Sequence, residues 1–279
     1  MKARAVIIAG VAALLLAAAG TGALWTLRPA PQDIEAVNAD APLPIPPVPP
    51  WIAQGDDYER CLAMLGPDPE GAQALAETWQ TAGGGDGADH CLALARIELG
   101  DPQEGATLLE RLAAASHGGS AARATIYGQA AQAWLMTGDS GHAFAAGTQA
   151  LALSPDDPGL LIDHAVAAGG LERWQDAMDD LTHALELDPR RPDALVLRGA
   201  AWRHLGQLEL AQDDVDRALA IDPQDAEALL ERGVLRQRRD DASGARADWE
   251  QAITIAPDSP TADLAQQNLA LLEAGPKRQ

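Results

Sequence analysis

Three groupings in the sequence have residue types that could do chemistry. Gly138-Asp139-Ser140-Gly141, followed at once by His142, puts a serine, an acid and a base within five residues. Acyl transfer needs the base and the acid brought to the serine from elsewhere by a rigid scaffold, which neighbours in one short stretch cannot do. Gly83-Gly84-Gly85-Asp86-Gly87 has the glycine density of a phosphate-cradling loop, but no Lys-Ser/Thr follows it and no strand pattern precedes it. Cys61, Cys91 and the adjacent His90 could ligate a metal, yet no fourth ligand is evident. The six histidines (His90, His117, His142, His164, His183 and His204) show neither H-x-x-x-H nor H-E-x-x-H spacing. No catalytic residue, metal or cofactor is therefore expected, and the chain reads as non-enzymatic.

The elements that carry these residues repeat. Pro155, Pro189, Pro223 and Pro257 are 34 residues apart, closing the strings "LALSP", "LELDP", "LAIDP" and "ITIAP". Ala143, Ala177, Ala211 and Ala245 keep the same interval, as do Ala150, Ala184, Ala218 and Ala252. A further column holds Ala131, Ala165, Gly199 and Gly233. Each unit has the pattern of a helical hairpin. Tyr127, Ala131 and Trp134 share one helix face, and Ala143, Gly147 and Ala150 share a face of the next helix, which Pro155 ends. Small residues at these columns let the two helices approach, and stacking of units buries the apolar faces that one hairpin cannot bury alone. This register puts Gly138-Asp139 in the turn inside a unit, with the glycine as the bend and the aspartate capping the second helix. Ser140 is then a helix-start residue rather than a nucleophile.

These columns resemble the tetratricopeptide repeat, whose pattern is W-x2-L-G-x2-Y, A-x3-F, an alanine and a closing proline. The match covers Ala124 to Ser259 as four units, 124–157, 158–191, 192–225 and 226–259. The first aromatic column is filled by Tyr127, Leu161, Leu195 and Leu229, and the tyrosine column by Trp134, Ala168, Trp202 and Arg236. The phenylalanine column is Gly147, Leu181, Val215 and Trp249. Ala168, Arg236 and Gly147 depart from the family pattern and suggest looser packing there. Two degenerate hairpins are expected in residues 52–123, where "GPDPEGAQAL" and "GDPQEGATLL" align at the same interval, and residues 260–275 look like a solvating C-terminal helix. The expected fold is all-α: a solenoid of stacked helix-turn-helix units with a capping helix, preceded by one transmembrane helix. Aromatic residues at 4% of the chain, with abundant alanine, disfavour a β-rich alternative.

The transmembrane expectation comes from Ala5 to Leu27, 23 uncharged and mostly apolar residues flanked by Lys2 and Arg4. As a helix they would span about 34 Å, enough to cross the hydrocarbon layer. The positive flank leaves the N-terminus in the cytoplasm and the repeats in the periplasm of a bacterial inner membrane. A cleaved signal is the alternative, because Ala17-Ala18-Ala19 offers a processing site, and either route exports the repeats. Residues 29–51 form a proline-rich linker, with six prolines among Pro42 to Pro50, which favours an extended spacer. Export makes Cys61 and Cys91 a candidate disulfide, since their stretches fall on adjacent first helices; two buried thiols are the alternative. The net charge of -21 excludes nucleic acid as a partner.

The resemblance implies that the first helices of the units line a concave groove holding a partner polypeptide. The corresponding positions are Gln129, Gln132 and Met136, then Ile162 and Val166. Val196, Ala200 and Arg203 follow, and Leu230, Val234, Gln237 and Arg238 complete the line. His204, Arg236 and Arg239 would join a mildly basic rim. Acidic residues such as Asp176, Asp179, Asp180, Asp213, Asp214 and Asp216 fall on second helices and are expected on the convex side. Lys and Asn, with which some family members clamp a C-terminal carboxylate, are missing from these positions. The expected role is protein–protein interaction or scaffolding in the cell envelope. The alternatives are a structural oligomerising protein and an assembly chaperone serving c-type cytochrome maturation.

Overall fold

The computed structural model describes residues 52–274. The expected membrane segment, the linker and the last residues of the chain lie outside them. Among the described residues there are thirteen helices and no strand. In chain order they are α1 Asp56–Met64, α2 Pro69–Thr81, α3 Gly85–Glu98, α4 Pro102–Ala115, α5 Ser120–Met136, α6 Ser140–Leu153 and α7 Pro158–Gly170. Then come α8 Trp174–Leu187, α9 Pro192–His204, α10 Leu208–Ile221, α11 Ala226–Arg238, α12 Ala242–Ile255 and α13 Pro260–Ala274. Odd and even helices pair as six hairpins, and α13 closes the stack. No helix among the described residues is long and apolar enough to cross a membrane.

Local chemistry sets the helix ends. Proline opens α2, α4, α7 and α9, where its missing N–H costs nothing. Asp68, Asp101, Asp139, Asp157, Asp225 and Asp241 cap α2, α4, α6, α7, α11 and α12 by accepting from backbone amides of the first turn. Ser140 is thus the first residue of a capped helix. The capping carboxylate of Asp139 also meets His142 Nδ1 at 2.7 Å, and among the described residues no hydrogen bond joins Ser140 to His142.

Each turn inside the last four hairpins has one residue with positive φ. Gly138 and Gly206 occupy it at 77°, but Glu172 and Asp240 stand there at 59° and 63°.

Size complementarity holds each hairpin together. Gly233 lies against fully buried Trp249, whose Nε1 donates to Leu230 O at 3.1 Å, and a Cβ on Gly233 would come within 2.3 Å of that nitrogen. At the equivalent place a Cβ on Gly199 would come within 2.9 Å of Val215. The looser packing expected from Gly147, Ala168 and Arg236 is not what the structure shows. His164 of the next hairpin occupies the space over Gly147, leaving a Cβ there 3.0 Å away. Ala168 is fully buried, and Arg236 pairs with Asp248 at 2.8 Å.

A second correction concerns the acidic residues. Asp214 is buried rather than displayed, accepting from both Nε and Nη2 of Arg198 at 2.7 Å. Arg232 grips Asp248 in the same way at 3.0 and 2.7 Å, and His164 meets Asp180 at 2.7 Å. These are one pair of positions, 34 residues apart, linking the two helices of three successive hairpins. In the hairpin before them the same positions are Ala130 and Ala146, both buried.

Candidate partner-binding face

Successive first helices (α5, α7, α9, α11, α13) pack on one another, whereas successive second helices do not pack to a comparable degree. The first-helix side is therefore the inner face of the stack. On α9 the residues Asp193, Ala200 and His204 are spaced i, i+7, i+11, and on α11 Glu227, Val234 and Arg238 repeat the spacing. At 100° per residue those three positions lie within about 40° of one line along the helix. On α7 the line reads Gly159, Val166 and Gly170, with Asp163 one turn from its start.

The expected groove residues divide into two groups. Ile162 and Val196 are 7% and 6% exposed and belong to the core between hairpins, so they offer a partner little surface. Leu230 and Val234 are half-buried and pack on the same core; Ala200 and Gln237 are also half-buried. Val166, at 37%, and Met136, at 65%, are the exposed apolar members. Arg203 does not stand free at the rim: it pairs with Glu231, a buried carboxylate on the next first helix. Arg238 is exposed and has no ion pair among the described residues.

Polar cross-links run between first helices at the N-terminal end of this face. Tyr58 hydroxyl contacts His90 Nδ1 at 2.8 Å, and His90 Nε2 contacts Gln129 Oε1 at 2.7 Å. Burial lowers the His90 pKa below its ordinary value, opposed by the Gln129 hydrogen bond. A neutral ring with the proton on Nε2 satisfies both contacts, the tyrosine donating and the glutamine oxygen accepting. Gln132 Nε2 donates to Asp163 Oδ2 at 2.7 Å.

A cleft of about 320 Å³ opens between α5 and α7, lined by Gly128, Gln129, Gln132, Asp157, Gly159, Leu160 and Asp163 among others. Gly128 stands where later units carry Ile162, Val196 and Leu230. Leu160 leans over it, so a Cβ would come within 2.5 Å of the leucine methyl.

Sequence reasoning missed the acidic half of this face. Burial holds the Asp163 carboxyl above its ordinary value, with Asp157 and Asp193 adding like charge and Gln132 opposing. Burial also raises Glu227, followed by repulsion from Asp225 and Asp193. Asp193 is held low by its hydrogen bond from Arg191. At the other end His204 is lowered, first by burial and then by Arg203 and Arg238, and its ring stacks on Trp174 with centroids 3.7 Å apart. The missed signal was in the register: Asp193 and Glu227 are 34 residues apart. Among the described residues no set of three His, Cys, Asp or Glu side chains converges as a metal site.

Two family models, both described as tetratricopeptide repeat, match residues 197–270 and 162–226. Together the matches cover residues 162–270, so the hairpins from α7 to α12 and most of α13 are similar to tetratricopeptide repeats. Among solved structures the chain is similar to one described as the functional characterization of Pseudomonas aeruginosa pilF, with TM-score 0.59 and 14% identity over 76% of this chain and 96% of that one. It is also similar to the APC/C hetero-tetramer Cut9–Hcn1, with TM-score 0.58 and 17% identity over 76% of this chain and 42% of that one. The chain therefore spans less than half of that relative's length. YrrB, described as a TPR protein with an unusual peptide-binding site, superposes with TM-score 0.50 and 21% identity over 66% of this chain and 91% of that one. None of the curated proteins matches the chain.

Proposed function

We propose that this protein is a non-enzymatic interaction module that holds a segment of a partner polypeptide against its first-helix face, and that it does so on the periplasmic side of a bacterial inner membrane. The observation that carries the binding reading is the apolar line on that face. Val166, Ala200 and Val234 each contribute one accessible small apolar side chain per repeat, beside a ready-made cleft. A groove with apolar contacts and a few fixed polar groups is the usual form of a binding site. Likeness to YrrB, itself described as having a peptide-binding site, supports this reading. The location is supported by the apolar run Ala5 to Leu27 and by the bond between Cys61 and Cys91, since disulfides persist in oxidising compartments.

A pull-down from membranes with the full chain tests the binding reading. Val166→Asp places a charge on an exposed position of the line, where folding should tolerate it. Capture should fall by more than about tenfold, because the carboxylate is desolvated without a partner. Unchanged capture would refute the assignment of this face. For the location, a reporter fused after Gln279 should be active only when exported, and cytoplasmic activity would refute it. A second reading, association through the end of the stack, rests on Leu264 and Leu271 of α13, which are 51% and 67% exposed. Light scattering of the full chain tests it: a monomer removes that reading.

A further inference from the structure

The inner face has three rows of different chemistry. Asp163, Asp193 and Glu227 form an acidic row near the starts of α7, α9 and α11. Val166, Ala200 and Val234 form the apolar row. Arg203, His204 and Arg238 lie near the ends of α9 and α11. The rows run across the helices, so each passes from one repeat to the next. Eleven residues separate Glu227 from Arg238, and Asp193 from His204, so the outer rows stand about 16 Å apart.

An extended strand presents side chains to only two faces and cannot match three adjacent rows. An α-helix can: its apolar stripe lies on one face, with a charged flank on either side, across a diameter of about 10–12 Å. We propose, resting on the binding reading above, that the occupant is an amphipathic helix of a partner protein with segregated flanks. Its apolar stripe follows Val166, Ala200 and Val234. Its basic flank faces Asp163 and Glu227 and its acidic flank faces Arg238, since Asp193 and Arg203 are already paired with Arg191 and Glu231. Helix ends favour acids at the start and bases at the finish on their own account, so the stability of the free protein does not test the proposal. Binding does.

The test uses the full chain and three labelled helical peptides that share one Leu/Ala stripe. One has Lys along one flank and Glu along the other, the second has Lys on both flanks, and the third has Glu on both. In about 150 mM salt, where charges act over only about 8 Å, the segregated peptide should bind about tenfold more tightly than either uniform one, since each of those sets like charges together. Arg238→Glu should weaken the segregated peptide several-fold and strengthen the all-Lys peptide; Glu227→Lys should weaken the segregated peptide and strengthen the all-Glu one. Equal binding of all three, tightest binding of the all-Lys peptide, or no binding by any of them would overturn the proposal. Equal binding that Val166→Asp abolishes would sink the charge assignment while leaving the groove in place. Binding that Val166→Asp leaves unchanged would remove the groove as well.

Discussion

The hairpins α1–α4 and α7–α12 meet the same packing problem with different chemistry. In the first region α1–α3 have a small core, built on Ala72, Ala76 and Ala95 around Cys61 and Cys91, while α4 adds Leu109 and Leu112 to the core it shares with α5–α6. The two cysteines are bonded, with Cα atoms 6.2 Å apart, and tie α1 to α3. In the second region Leu181, Val215 and Trp249 fill the hairpins, and an acid–base pair spans each one. The hairpin α5–α6, with Ala130 and Ala146, has neither device; it is packed by apolar contact and by the stacking of Trp134 on His142. A repeat can therefore lose its ionic pair without losing its fold, provided both partners are replaced together. In a stack where each unit touches only its neighbours, stability is a sum of local terms. The two regions should therefore respond separately to perturbation.

The largest effect expected is loss of the covalent tie. Its 30-residue separation implies about 3–4 kcal/mol from chain entropy. Cys61→Ala with Cys91→Ala should reduce hydrogen-exchange protection in α1–α4 by that order and leave α7–α12 as before. Uniform loss along the chain would mean that the stack unfolds as one cooperative unit, and the contrast between regions would dissolve.

Next is the ionic pair. Asp214→Ala leaves Arg198, whose side chain is only 16% exposed, facing a vacated partner site. Breaking a buried pair typically costs about 3 kcal/mol or more. Adding Arg198→Ala to make the pair found at Ala130 and Ala146 should recover part of the loss in urea unfolding. A double variant less stable than Asp214→Ala would show that the pair stabilises beyond its own desolvation, and that α5–α6 is not a fair precedent.

A smaller effect, confined to the N-terminal region, depends on pH. The folded-state pKa of His90 is lowered from 6.5 by burial. At pH 7.5 the ring is neutral whether the chain is folded or not, and its contribution is fully present. As pH falls below about 6.5 the unfolded chain takes up a proton that the folded chain resists, so stability declines until the lowered value is passed. His204 is shifted the same way, so the measurement is a comparison. Thermal melts between pH 7.5 and 5.5 should show a shallower decline for His90→Gln than for the parent protein. Equal slopes would remove His90 as the cause.

What the sequence made legible was whatever repeats in one column. Closing prolines and the alanine columns follow from single positions on a 34-residue ruler, and the cap at Asp139 from its place in a turn, although Arg173 and Gln207 hold that place in the next two units. Compensation between columns was not legible. Gly147 resembles a defect until His164, from the next hairpin, is seen to fill its place. Asp180 and Asp214 resemble surface charges until their partners sixteen residues earlier are matched. The binding face was read only in part for a related reason. Helix phase alone does not separate Val166, which is exposed on the inner face, from Ile162 and Val196, which are buried in the core between hairpins. Arg203 reads as a free cation because its partner, Glu231, lies in the following unit.

The smallest effect compares turns within the C-terminal region itself. The bend between the two helices of a unit needs positive φ. Gly138 and Gly206 supply it without strain, whereas Glu172 adopts 59° and Asp240 adopts 63°. For a residue with a Cβ the left-handed conformation costs about 1–2 kcal/mol, less for aspartate, whose short side chain can bond locally. Glycine is also freer in the unfolded chain, which takes back part of the gain. Glu172→Gly should therefore raise stability by up to about 1 kcal/mol, and Asp240→Gly by less. Gly206→Ala should lower stability by a similar amount, with binding of any partner helix little affected, since the turn lies past the basic row at the end of α9. Urea unfolding of the three variants gives the ranking directly. If Glu172→Gly destabilises instead, the glutamate side chain contributes more than its backbone costs, and its charge beside His204 is the first contact to examine.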